Sequence, residues 1–173
     1  MMQEFRELKE VGKRSPEEFD FVLAGVLVKP SRTPYDTLII DAGRDHGVRA
    51  GDIVLAYGDV AIGHVREVTQ RSSKVQLFSS PGDEIDVVLA KSGVTVTAIG
   101  QGGGNFLAEA PRDLDIEVGD VIIFPRIHTQ IVGSVGQVTR RPADAFQAVR
   151  FATPVNVNHL RYVQVVSHDA VEL

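Results

Sequence analysis

Cysteine and tryptophan are both absent from the 173 residues. Without cysteine there are no disulfides, no thiolate metal ligands and no thiol nucleophile. Aromatic residues make up only 6% of the chain, so Val, Ile and Leu have to fill the core, which suits strands. Long apolar runs are missing too: the longest, Phe21 to Val28, has eight residues, against the ~20 that a membrane helix needs. Met1 to Arg14 is charged throughout and has no apolar stretch of the secretory-signal kind. A net charge of -5 gives no positive surplus for non-specific nucleic-acid binding. The five histidines, His46, His64, His128, His159 and His168, show neither H-x-H nor H-x-x-x-H spacing. No metal and no cofactor are expected.

What is present is a repeated β pattern. Between Tyr35 and Phe78, short β-branched runs alternate with Gly, Asp and Ser at intervals too short for a helix. Gly51-Asp52-Ile53-Val54 is echoed by Gly119-Asp120-Val121-Ile122. Ile62-Gly63-His64-Val65 is echoed by Val132-Gly133-Ser134-Val135. Both pairs keep their order, with twelve residues from Gly51 to Gly63 and fourteen from Gly119 to Gly133. Two divergent copies of one β unit account for this, with the two extra residues placed in a turn. The expected fold is all-β: two small packed β-barrels after a short N-terminal helical stub.

Taken in order, residues 1–20 form the stub, with Phe5 and Leu8 on one helical stripe and Gly12 ending it. Residues 21–110 form the first barrel unit and residues 111–173 the second, with strand sharing between them left open. Gly51, Gly63, Gly119 and Gly133 are the expected structural corners. Gly63 and Gly133 each sit inside a strand pattern, which signals a bulge or a close crossing of backbones. Gly100, Gly102, Gly103 and Gly104 are costly to order. They read as a loop that either lets two backbones pass closely at the junction of the units or stays mobile; at a junction, Phe106 would plug the space between the barrels.

Signatures of chemistry are few. Gly100-Gln101-Gly102 begins like a dinucleotide-binding loop, but the last glycine position is Asn105 and no helix follows. Two barrels side by side are also how trypsin-like hydrolases are built, so the serines matter. Ser134 lies between Gly133 and Val135, but the other repeat has His64 there, which marks a strand surface position rather than a nucleophile. A carbohydrate- or peptidoglycan-binding surface carrying Asn105, Asn156 and Asn158 is a further alternative, without a Trp platform. The residues themselves favour a non-catalytic protein.

In their order along the chain, the blocks resemble the extracytoplasmic part of the MreC family. The likeness runs from Val22 to Val166. It is carried by Thr37 to Gly43, Gly47 to Asp52, Ile62 to Val65, Ser72 to Leu77, Gly100 to Gly104, Ile116 to Asp120, Ile131 to Gly136 and Leu160 to Val165. Glu4 to Leu8 resembles the end of the family's coiled coil. The resemblance implies two barrels distantly chymotrypsin-like in arrangement, without catalytic residues. It implies a scaffold on the outer side of the cytoplasmic membrane, organising wall elongation for rod shape. Partners by the same resemblance are MreD, MreB, RodA and an elongation penicillin-binding protein, with self-association left open. Membrane attachment would come through a helix that this chain does not carry. Many family members have Gly-rich sequence between the positions of Asp120 and Gly133, where this chain has Phe124 to Thr129, so that loop is reshaped.

Overall fold

The structure, a computed structural model, describes residues 20–30, 36–126 and 130–167. Its strands are β1 Phe21–Val28, β2 Thr37–Ile40, β3 Ile53–Ala56, β4 Val60–Val68, β5 Ser73–Leu77 and β6 Glu84–Leu89. They continue with β7 Thr95–Gly102, β8 Asn105–Pro111, β9 Val121–Ile123, β10 Ile131–Arg140, β11 Phe146–Ala152 and β12 Tyr162–Val166. The helical stub expected over residues 1–20 lies outside the described residues except for Asp20.

The strands close into two rings. One runs β4-β3-β12-β1-β2-β5, and β5 pairs back to β4. The other runs β10-β9-β6-β7-β8-β11, and β11 pairs back to β10. Closure removes the exposed strand edges that short sheets otherwise have to protect. The fold is thus all-β and built from barrels, as the sequence led one to expect.

Strand pairing divides the chain differently from a cut at residue 110. β12 does not complete the second unit; it lies between β1 and β3 in the first ring. There Val163 and Val165 bury into the same core as Leu38, Ile40, Val54 and Val75. β6 and β7 precede the expected boundary yet stand in the second ring, where Val87 and Ala98 pack with Ile122 and Val149. Side-chain alternation decides this. Each strand goes where its inward-facing valines and isoleucines meet a matching face.

The sequence echo is a duplication of backbone hydrogen bonds. Gly51 N–H donates to Val65 O at 2.8 Å, and Gly119 N–H to Val135 O at 2.8 Å. Val65 N–H returns to Asp52 O at 2.8 Å, and Val135 N–H to Asp120 O at 2.9 Å. Asp52 Oδ2 accepts from Arg49 N–H at 2.8 Å, and Asp120 Oδ2 from Glu117 N–H at 2.9 Å. Gly51 and Gly119 share φ 95°, a left-handed conformation that a Cβ disfavours. The runs on either side of Gly63 and of Gly133 merge into single strands, each with one extra residue against the strand that precedes it. Ile62 is the extra residue on β4, because Gly63 opposes Val54 while Ala61 opposes Leu55. Val132 is the extra residue on β10, because Gly133 opposes Ile122 while Ile131 opposes Ile123. Such bulges bend a strand and tighten its twist, as a small ring requires.

β3 and β4 form a wall with two buried faces. Val54, Ala56, Val60 and Ile62 point into the first ring, whereas Ile53, Leu55 and Ala61 join the apolar cluster of the second. Among the described residues the two rings share one direct backbone pairing between strands, the parallel match of Val60 with Ile131.

The crossings at Gly63 and Gly133 admit no side chain. A Cβ would overlap the carbonyl oxygen of Gln76 at the first and of Ala152 at the second. Gly63→Val and Gly133→Val are each expected to lower stability by about 2 kcal/mol or more, read as a lower urea midpoint. Gly136→Ala, where the nearest atom is Arg150 O at 3.9 Å, should stay within about 0.5 kcal/mol of wild type. A wild-type midpoint for either Val variant contradicts the crossing in that ring.

Candidate functional site

Between the rings lies an open groove of about 560 Å³. One side is the outer face of the wall, with Gly51, Ile53 and His64. The other side is β6, with Glu84, Ile85 and Asp86, and the segment Phe124 to Arg126 after β9. Phe78 and Asp83, from the connection between β5 and β6, complete the lining. Three rings run in a row here: His64 and Phe78 have centroids 6.0 Å apart, and Phe78 stacks on Phe124 at 5.4 Å. Phe124 is buried, and Phe78 and His64 are half-buried, so the row is anchored at one end and partly accessible at the other.

The rim is acidic. Asp83, Glu84 and Asp86 face it, against the single guanidinium of Arg126. Asp83 accepts from Gln76 Nε2, and Asp86 Oδ1 accepts from Thr97 Oγ1 at 2.8 Å. Neutral donors therefore hold two of these carboxylates without cancelling their charge. Among the described lining residues His64 is the one imidazole and there is no serine. An aromatic floor with a charged rim suits recognition of a side chain or segment; it does not place a nucleophile beside a base.

The remaining sequence candidates fall elsewhere. Ser134 is exposed on β10, opposite Val121 and Ala152. His46 Nδ1 accepts from Gly43 N–H, and His159 Nδ1 lies 3.3 Å from Asn156 Nδ2. His128 and His168 lie outside the described residues. Asn105 and Asn156 serve local turns, bonding Gly102 O and Asn158 N–H respectively. The glycine run is the tip of the β7–β8 hairpin, with Gly102, Gly103 and Gly104 all at positive φ. Gly100 lies flat against the backbone of Ser79 and Ser80, where a Cβ would overlap both. Phe106 is buried inside the second ring and stacks on Phe151 at 4.8 Å. It also borders a small gap with Ala61, Ile62 and Leu77 of the first ring. No spacing rule in the sequence marks the groove, because its lining comes from five separate segments.

Away from the groove, Lys91 Nζ sits 3.2 Å from Asp120, 3.5 Å from Asp115 and 3.8 Å from Glu117. The Glu117 N–H bond, and then Lys91, hold the Asp120 carboxyl below the usual aspartate range.

The chain matches, over residues 26–167, the family described as "Rod shape-determining protein MreC, barrel core". No curated protein sequence matches. Solved structures do. The crystal structure of MreC from Pseudomonas aeruginosa is 22% identical, with 86% of this chain and 99% of that chain covered at a TM-score of 0.78. The major periplasmic domain of the cell shape-determining filament MreC is 20% identical, covering 86% and 95%, TM-score 0.65. MreC in the complex with penicillin-binding protein PBP2 from Helicobacter pylori is 10% identical, covering 87% and 100%, TM-score 0.58.

Because the carboxyl of Asp120 is depressed in the fold, its stabilisation is present above the unfolded-state value and is lost as pH falls through the folded one. From about pH 4 downward the wild type should therefore shed stability faster than Asp120→Asn. Unfolding midpoints measured from pH 7 to pH 2.5 check this. Parallel curves for the two proteins contradict the assignment.

Proposed function

The chain belongs to the MreC family of rod shape-determining proteins, and on that premise we propose that it is a non-catalytic scaffold of wall elongation. In this reading it acts on the outer side of the cytoplasmic membrane, supported by the relative whose solved structure is that of its major periplasmic domain. Its nearest partner in this reading is an elongation penicillin-binding protein, with MreD, RodA and MreB in the same assembly. Support for that partner comes from the relative solved in complex with PBP2. Among the described residues no helix is long and apolar enough to cross a membrane.

The observation that carries the reading is the groove. Its aromatic row is partly exposed, its rim is charged, and among the described residues its lining presents no nucleophile–base pair. A scaffold needs a surface of fixed shape that holds a partner without reacting with it. An aromatic floor supplies contact area at low entropic cost, and rim charges steer the approach. We place the penicillin-binding protein's contact in this groove.

Calorimetry with the soluble domain of the elongation penicillin-binding protein from the same cell tests this. Glu84→Arg combined with Arg126→Glu should weaken binding by about tenfold. Glu109→Arg, on the exposed face of β8, should leave it unchanged. Equal affinity for wild type and the groove variant rejects the groove. Stoichiometric labelling of one serine by a fluorophosphonate rejects the non-catalytic reading.

A further inference from the structure

The connection from Phe78 to Asp83 joins the rings and carries a buried serine whose hydroxyl bonds to both. Ser79 Oγ donates to Asp36 Oδ2, just before β2 of the first ring. The same oxygen accepts from Gly104 N–H at 2.9 Å, at the β7–β8 tip of the second ring. Ser79 O accepts from Gly102 N–H at 2.6 Å, and Asp83 O from Gly100 N–H at 2.8 Å. Ser79 is 3% exposed. A hydroxyl so buried is costly unless both its donor and its acceptor capacity are used, and here each is used by a different ring.

Neighbouring contacts leave little freedom at this point. A Cβ on Gly104 would press on Thr153 Cγ2 at 2.5 Å, so the tip seats only with a bare backbone. By contrast, Ala61, Ile62, Leu77, Phe106 and Val132, which meet nearby, are apolar. Apolar contact is non-directional and does not by itself fix an angle. The Val60–Ile131 pairing is a single point about which one ring could turn against the other. The Ser79 hydroxyl adds a directional tie beside the backbone bonds of this connection. Among the described residues it alone bonds a side chain of the first ring and the tip of the second at once. Ser79 also directly follows Phe78, whose ring stands in the groove against Phe124.

We propose that Ser79 is a positioning residue: it latches the first ring, through Asp36, to the β7–β8 tip of the second, and so holds the groove at one width for its partner. The inference rests on the docking reading above, but the angle between the rings is measurable without a partner. Releasing the Asp36–Ser79–Gly104 chain of bonds lets the rings turn about Val60–Ile131 while both cores stay packed. The cost to binding then comes from the fraction of time the groove has the wrong width.

Because the chain has no cysteine, two introduced cysteines take spin labels cleanly. Exposed Glu67 on β4 and Glu109 on β8 serve as labelling sites, one on each ring, for pulsed-dipolar distance measurement. The latched protein should give one narrow distance distribution. Ser79→Ala should broaden it at least twofold while the amide NMR spectrum keeps its dispersion. Asp36→Ala should broaden it likewise, and Asp36→Asn, whose side-chain oxygen can still accept the bond, should keep it narrow. A merely structural serine would lower the melting temperature without this pattern. Should Ser79→Ala fail to fold, the Asp36 pair decides alone. Unchanged width in Ser79→Ala, or equal broadening by Asp36→Ala and Asp36→Asn, overturns the latch. Affinity for the penicillin-binding protein domain is read in parallel and should fall severalfold in Ser79→Ala. Broadening without loss of affinity keeps the latch and removes its link to docking.

Discussion

Burial of β3 and β4 on both faces is the constraint on which the rest of this molecule depends. In an ordinary small barrel one face of each strand looks inward and the other meets water. Here Val54 and Ala56 face one core while Ile53 and Leu55 face the other cluster. Each Val, Ile or Leu so withdrawn from water contributes about 1.5–3 kcal/mol, and those on the outer face contribute only if the second ring is in place. The rings therefore complete one another. The groove follows from the same wall, since His64 and Ile53 belong to it and Phe124 comes to meet it.

Much of the architecture was legible in the sequence because it is written in turns. Gly51-Asp52 and Gly119-Asp120 announce themselves because a φ of 95° and a carboxylate capping a backbone N–H need those residue types. Gly63 and Gly133 are legible for a different reason, the contact of two backbones at a bulge. Which strand closes which ring was not legible. Val163 and Val165 carry a period-two pattern that would fit either barrel. Only the competition between two apolar faces, settled in three dimensions, sends β12 back to the first. The unbroken apolar run Ile53 to Ala56 does carry the mark of a strand buried on both sides, and that mark could have pointed to the shared wall.

The candidate site was less legible still. Its aromatic row is assembled from His64 on β4, Phe78 after β5 and Phe124 after β9, which are remote in sequence and bound by no spacing rule. A catalytic site imposes residue types; a docking surface, as proposed for the groove, imposes mainly shape, and shape leaves a weak trace in one sequence. Membership of the MreC family gives the setting of the groove, and the geometry gives its chemistry. Two rings with a common wall, tied again by the Ser79 hydroxyl between Asp36 and Gly104, make a body stiff enough to hold an open groove without a ligand inside it. That stiffness is what a scaffold contributes to an assembly.

Urea unfolding followed by hydrogen exchange and mass spectrometry, with peptides assigned to each ring, tests the shared wall most directly. If the wall binds the rings into one cooperative body, peptides from β1–β5 and from β6–β11 lose protection at a single urea midpoint. Two separate midpoints, with one ring keeping its protection after the other has lost it, would contradict the account.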